Sequence, residues 1–278
     1  MKKKIIVVSA IVALVAIAIV GSSLAFFQDT DEKINVFTVG TIDIEQHETD
    51  REGNPFEDNG LLIPVIDKDL GTDNEADEAR DDAGMPVDPN FRDKIVTVEN
   101  VGSEDAYVRT YIAVPKALDD AGIIKRDIKA GTDWTAVSAD PVAVITKDGI
   151  EYNVYAYYYN AILPDGETTP ALLNGVYLDY KTDCKTAVDA NGVTQLTHLT
   201  YPGATAVVEV PVDDFAIGTP GADPAVNPTE YKSYVLVATE GVQARGCANA
   251  AAATNSAFGD FSTMSAADAT AHFDGFWN

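Results

Sequence analysis

Three histidines, two cysteines and a large excess of acids are the side chains of this chain with the most chemistry to offer. A zincin-type hydrolase needs two histidines four residues apart on a helix, with a glutamate between them to activate water. His47-Glu48 begins that pattern, but Arg51 stands where the second histidine belongs. His198 and His272 share no spacing with it or with each other. Neither a Gly-x-Ser-x-Gly nucleophile elbow nor a phosphate-cradling glycine loop is present. No catalytic residue and no organic cofactor is therefore expected.

The acids offer a different chemistry. Asp67, Asp69, Asp73, Glu75, Asp77 and Asp81 are spaced closely enough to share a hard cation, and calcium is the ion that takes clustered oxygen ligands. Their spacing fails the EF-hand template, which requires Asp-x-Asp-x-Asp-Gly and a glutamate at the twelfth position. A solvated acidic loop is the favoured reading, with calcium as the alternative. At the level of the whole chain, 19 Lys and Arg against 44 Asp and Glu give a net charge of -25. Such a surface repels phosphate backbones, so no nucleic-acid partner is expected. Hydrophobic residues still make up 46% of the chain, enough to build a core.

What positions these residues begins with a targeting segment. Lys2, Lys3 and Lys4 precede an apolar run from Ile5 to Val20, then Gly21-Ser22-Ser23, and Ser23-Leu24-Ala25 supplies small residues at -3 and -1. Residues 1–25 are read as a signal peptide cut between Ala25 and Phe26; an uncleaved anchor is the alternative, although the run is short for a span. Cleavage removes three lysines and no acid, leaving 16 basic and 44 acidic residues and a charge of -28. The expectation is a protein that signal peptidase releases to the extracellular matrix or cell surface, with no membrane contact afterwards. Export would place Cys184 and Cys247 in an oxidising setting with no third cysteine to compete, so a disulfide between them is expected.

Most periodic segments past the signal read as strands. Thr41 to Glu45, Ile95 to Val98, Ala106 to Val114, Val142 to Thr146, Val154 to Leu163, Val176 to Tyr180, Ala204 to Val212 and Tyr231 to Ala238 are rich in β-branched and aromatic residues. Turn signals at Asn100-Val101-Gly102, Pro164-Asp165-Gly166, Asn191-Gly192 and Tyr201-Pro202-Gly203 separate them. Helix is expected only near Lys116 to Ala121 and from Ala248 to Phe258. The fold class is all-β: one antiparallel sandwich over residues 26–278, with an exposed acidic insertion at 48–93 and a Gly/Pro-rich loop at 213–228. Asn-Val-Gly is expected to close a hairpin through a residue at positive φ. Along the second strand, Tyr107, Arg109 and Tyr111 share a face, read as a half-exposed stack or a binding surface. Tyr155, Tyr157 and Tyr159 form either a carbohydrate platform or ordinary sheet packing.

Several blocks resemble the TasA/camelysin family, whose signal peptides are processed by a SipW-type peptidase. They are Leu24-Ala25-Phe26-Phe27-Gln28-Asp29-Thr30-Asp31 with Asn35 to Ile44; Val98-Glu99-Asn100-Val101-Gly102 through Arg109; Tyr157 to Asn160 with Leu163 to Pro170; and Glu240-Gly241-Val242-Gln243-Ala244. The resemblance spans most of the mature chain, apart from the acidic insertion. It implies a jelly-roll-like sandwich and, for fibre-forming members, exchange of N-terminal segments between subunits. The expected function is thus a secreted subunit of a biofilm-matrix or cell-surface fibre whose partner is itself, with Phe26 and Phe27 as anchors in a neighbour or as a cap on their own subunit. The camelysin branch is classed as protease, so a secreted metal-dependent protease is the alternative, and a monomeric surface adhesin is a third.

Overall fold

The computed structural model describes residues 28–30, 41–56, 62–70, 79–129, 131, 133–190, 192, 194–219 and 230–277. Its strands are β1 (Gln28–Thr30), β2 (Ile44–Thr49), β3 (Arg92–Asn100), β4 (Ala106–Pro115), β5 (Ile124–Ile128), β6 (Trp134–Ala136), β7 (Ala143–Lys147) and β8 (Ile150–Tyr159). They continue with β9 (Leu173–Leu178), β10 (Asp183–Val188), β11 (Thr194–Pro202), β12 (Val207–Pro211), β13 (Ile217–Thr219), β14 (Glu230–Lys232) and β15 (Leu236–Gln243). The described helices are α1 (Lys116–Asp120), α2 (Ala250–Phe258) and α3 (Ala266–His272).

The molecule is an antiparallel β-sandwich. One sheet runs β1-β15-β4-β8-β6 with β7 also on β8, and the other runs β2-β3-β9-β5. Between these two sheets the chain crosses from β1 to β2, β3 to β4, β4 to β5, β5 to β6, and β8 to β9. The sheets meet through Val96, Val98, Leu173 and Leu178 on one side and Val108, Ile112, Val114 and Tyr157 on the other. β3 alternates buried and half-buried residues, as a strand with one inward face should.

β4 breaks that rule, because all ten of its residues are buried. Its second face, with those of β8 and β15, lies beneath α2, α3 and the C-terminal residues, where Tyr111, Ala113, Tyr152 and Val154 pack with Ala269 and Phe273. Phe261, Phe273, Phe276 and Trp277 form a linked aromatic cluster there, with Phe273 stacked on both Phe261 and Trp277. The face carrying Tyr107, Arg109 and Tyr111 is therefore neither a binding surface nor half-exposed. α3 was not expected from the sequence. Its start is fixed by Ser265, whose hydroxyl accepts from the Asp268 backbone N–H and donates to the Asp268 carboxylate.

The expected hairpin between β3 and β4 does not form, since the two strands belong to different sheets. Gly102 is also not among the positive-φ glycines. Its requirement is space: a Cβ there would sit 2.4 Å from the Thr41 carbonyl oxygen and 2.7 Å from the Asp43 nitrogen. The returning chain is held in that place by Val101 N–H to Asp43 O and Ser103 N–H to Thr41 O, both 2.9 Å. Asn100, fully buried, ties the same corner by donating to the Glu104 and Leu163 carbonyls at 2.9 and 3.0 Å.

The acidic insertion also departs from expectation. Its ends are parts of β2 and β3, and Val65, Leu70, Met85 and Phe91 bury against Tyr177 in a small satellite core. The Asp88 carboxylate organises it, accepting the backbone N–H groups of Ile66, Asp67 and Asn90 at 2.8 Å each. Arg51 clamps Asp93 at 2.6 Å, and Arg80 pairs with Asp127 on β5 at 3.2 Å. Four apolar residues spread among acids are diluted in any composition average, yet they pack on Tyr177 of β9 and, with these polar ties, join the segment to the sandwich. Ile217–Thr219, inside the stretch 213–228 expected to be a Gly/Pro-rich loop, pairs with Glu230–Lys232 just beyond it as a two-stranded ribbon.

Candidate functional site

A sheet edge is where an all-β protein has backbone hydrogen bonds left to offer. At one edge of the larger sheet, β15 is sandwiched between β4, in register from Leu236↔Ala113 to Gln243↔Ala106, and the three-residue β1. Gln28, Asp29 and Thr30 of β1 lie opposite Val242, Gly241 and Glu240. The segment just past the expected cleavage site thus occupies this edge.

The edge is shaped by the block Glu240-Gly241-Val242. A Cβ on Gly241 would come within 2.9 Å of the Ile44 side chain and 3.2 Å of Ile42, so glycine lets β15 approach the start of β2. Val242 is fully buried. Glu240 points inward and meets Arg109, its partner in register on β4. The Arg109 guanidinium donates to Glu240 Oε2 at 3.4 Å, to the Tyr111 hydroxyl at 2.6 Å and to the Gly259 carbonyl at 2.9 Å. The Tyr111 hydroxyl donates in turn to Glu240 Oε2. His272 Nε2 stands 3.2 Å from Glu240 Oε1 and 3.2 Å from the Tyr111 hydroxyl. Burial, then the Glu240 charge, pushes the Tyr111 hydroxyl well above its ordinary titration range.

A carboxylate with an arginine, a tyrosine and a histidine has the composition of a reactive centre. Here the Arg109 and Glu240 side chains are 0% and 2% exposed, and the guanidinium lies 4.8 Å from the Phe261 ring centre beneath the C-terminal cover. The arrangement is suited to holding β15, β4 and the C-terminal segment in one rigid unit behind the edge.

The other residues singled out in the sequence lie apart from this edge. Ala25, Phe26 and Phe27 fall outside the described residues, as do Asp73, Glu75 and Asp77. Asp67 caps the Asp69 N–H at 2.9 Å, and Asp81 accepts from Ala83 and Met85 and pairs with Arg51 at 3.2 Å. Among the described residues no three His, Cys, Asp or Glu side chains converge as metal ligands. His47 bonds Glu99 at 2.9 Å, and His198 lies 3.9 Å from Glu209. The three histidines are thus dispersed, each near a different glutamate. Tyr157 is buried in the sandwich core, with Tyr155 and Tyr159 half-buried against it, which is ordinary sheet packing.

The expected disulfide does not form, and both cysteines are free thiols. Cys184 is exposed on β10, in the three-stranded sheet β10-β11-β12, whereas Cys247 lies in the turn before α2 and packs with Tyr107, Val242 and Ala250. Cysteine count and compartment carry no information about which strands hold the thiols apart.

An open groove of about 680 Å³ lies between the insertion and the sandwich, lined in part by Phe56, Phe91, Lys94, Val176 and Tyr234. Two of its charged residues are paired within the chain, Lys94 with Glu48 and Asp93 with Arg51. No helix among the described residues is long and apolar enough to cross a membrane. Comparison with protein-family models, curated proteins and solved structures gives no match.

Proposed function

We propose that the chain is a secreted structural subunit of an extracellular biofilm-matrix or cell-surface fibre, joined by its N-terminal segment after the signal peptide is removed between Ala25 and Phe26. The observation that carries this reading is the pairing of Gln28–Thr30 with the β15 edge. Among the described residues three residue pairs hold β1, and ten residues separate it from Thr41. Ten residues reach at most about 36 Å when fully extended, so the same register on β15 is open to a β1 from the same chain or from a neighbour. Main-chain hydrogen bonds would supply affinity to an added strand, and the anchored network behind β15 keeps the edge formed before a donor arrives. Donation to the next subunit is head-to-tail and does not close, so it yields filaments. The resemblance to the TasA/camelysin blocks supports the same reading.

Negative-stain electron microscopy of the purified chain beginning at Phe26 tests it. Filaments of uniform width are expected, with salt promoting them because subunits of charge -28 repel. Dispersed monomers at every salt and calcium concentration would contradict the proposal.

A further inference from the structure

A second sheet edge carries its own inference, independent of the fibre reading. β10 is an outer strand of the sheet β10-β11-β12, and no described strand pairs with its other side. All six of its residues are exposed, so neither face is covered. The sheet itself is anchored, because Leu199 of β11 and Val210 of β12 reach the main core. A rigid, uncovered edge of this kind is a template for strand addition.

We infer that β10 pairs with β10 of a second copy of this chain, antiparallel about a twofold axis through Cys184. The direction of the free backbone groups leads to that centre. The Asp183 and Lys185 carbonyls accept from the side-chain hydroxyls of Thr200 and Thr197 on β11, at 3.4 and 3.1 Å, and so face that strand; the β10–β11 register shifts only after Lys185. Alternation along a strand then turns the Cys184 N–H and C=O outward. Two copies centred there exchange both of these hydrogen bonds, which is the close pair of an antiparallel ladder.

Charge selects the same register. With Cys184 opposite Cys184, Asp183 of each copy stands opposite Lys185 of the other, so the symmetric contact contains two complementary pairs. A lone lysine on an edge discourages pairing; a lysine met by an aspartate favours it. Locally, Tyr180 to Val188 carries Lys181 and Lys185 against Asp183 in a chain of net charge -25; Lys185 also meets Glu209 of its own chain at 2.8 Å, an exposed and therefore exchangeable pair. Two copies can therefore approach here where most of their surfaces repel. Tyr180 and Val188, 40% and 66% exposed, lie at the two ends of the stretch.

The test uses the chain from Phe26 to Asn278 with Cys247→Ser, treated with a short bismaleimide and analysed by denaturing gel and peptide mass spectrometry. A Cys184–Cys184 cross-linked dimer is expected. Lys185→Glu should lower its yield roughly tenfold, because symmetry places two like-charge pairs in the contact. The double exchange Asp183→Lys with Lys185→Asp should restore it. Circular dichroism of each variant checks that the fold is kept. Absence of the dimer, or a yield indifferent to Lys185→Glu, overturns the inference. Filaments are read separately by microscopy, so loss of the cross-link with filaments intact refutes this contact alone.

Discussion

β4 and β10 each carry a basic residue held by a glutamate from another strand, and the two pairs have opposite meanings. Lys185 and Glu209 approach more closely, 2.8 Å against 3.4 Å for Arg109 and Glu240. Yet the outer pair is 46% and 57% exposed, while the inner one is 0% and 2% exposed. Water screens the first, so its distance says little about stability. The second sits where an unpaired charge cannot be hydrated, and its value lies in what its loss would cost. Burial, more than separation, decides which ion pair the fold depends on.

Removing one member of the inner pair gives the largest expected effect. Glu240→Ala leaves the Arg109 guanidinium buried without its carboxylate and should cost about 3–5 kcal/mol in urea unfolding. The double variant Arg109→Met with Glu240→Leu should recover most of that loss, because the charges leave together. Equal destabilisation in the double variant would show that packing, not charge, governs the site.

Asp88→Ala comes next. It strips three backbone N–H groups of their acceptor and should cost about 1–3 kcal/mol, with faster proteolysis within residues 62–91. Unchanged proteolysis would mean that the satellite core holds the insertion without it.

A smaller effect is expected in alkali. Burial pushes the Tyr152 and Tyr155 hydroxyls up to about 12, and the Tyr155 hydrogen bond to Asp119 adds to the shift. Their folded values exceed the ordinary value of 10.0, so the folded state keeps protons that the unfolded state releases. The stability from these groups is complete below that ordinary value and is lost as pH rises through about 12. Tyrosinate absorbance should rise in two stages, the later one accompanying unfolding; a single stage at the ordinary value would contradict the burial. At the bottom of the scale, Lys185→Ala should change monomer stability by less than about 1 kcal/mol, checked by thermal unfolding.

The same contrast explains what the sequence made legible. β4 and β8 were visible as strands because their β-branched and aromatic residues dominate any window, and α2 because of its alanine run. β10 and β11 do not read as strands in the sequence, since Asp183–Val188 mixes charges with small residues and is exposed on both faces. Nothing local to Tyr107, Arg109 and Tyr111 announces that the C-terminal residues will cover them, because that burial comes from contacts more than a hundred positions away. The β15 edge was half legible: Gln28 to Thr30 stood out after the signal, but Gly241 and Glu240 acquire their roles only against Ile44 and Arg109.

The most direct test of the account is to remove Phe26 to Asp31 and compare that chain with the one beginning at Phe26, by negative-stain electron microscopy and circular dichroism. Filaments are expected from the longer chain, none from the shorter, and the same β-rich spectrum and cooperative melting from both. Filaments that persist without those six residues would contradict the account.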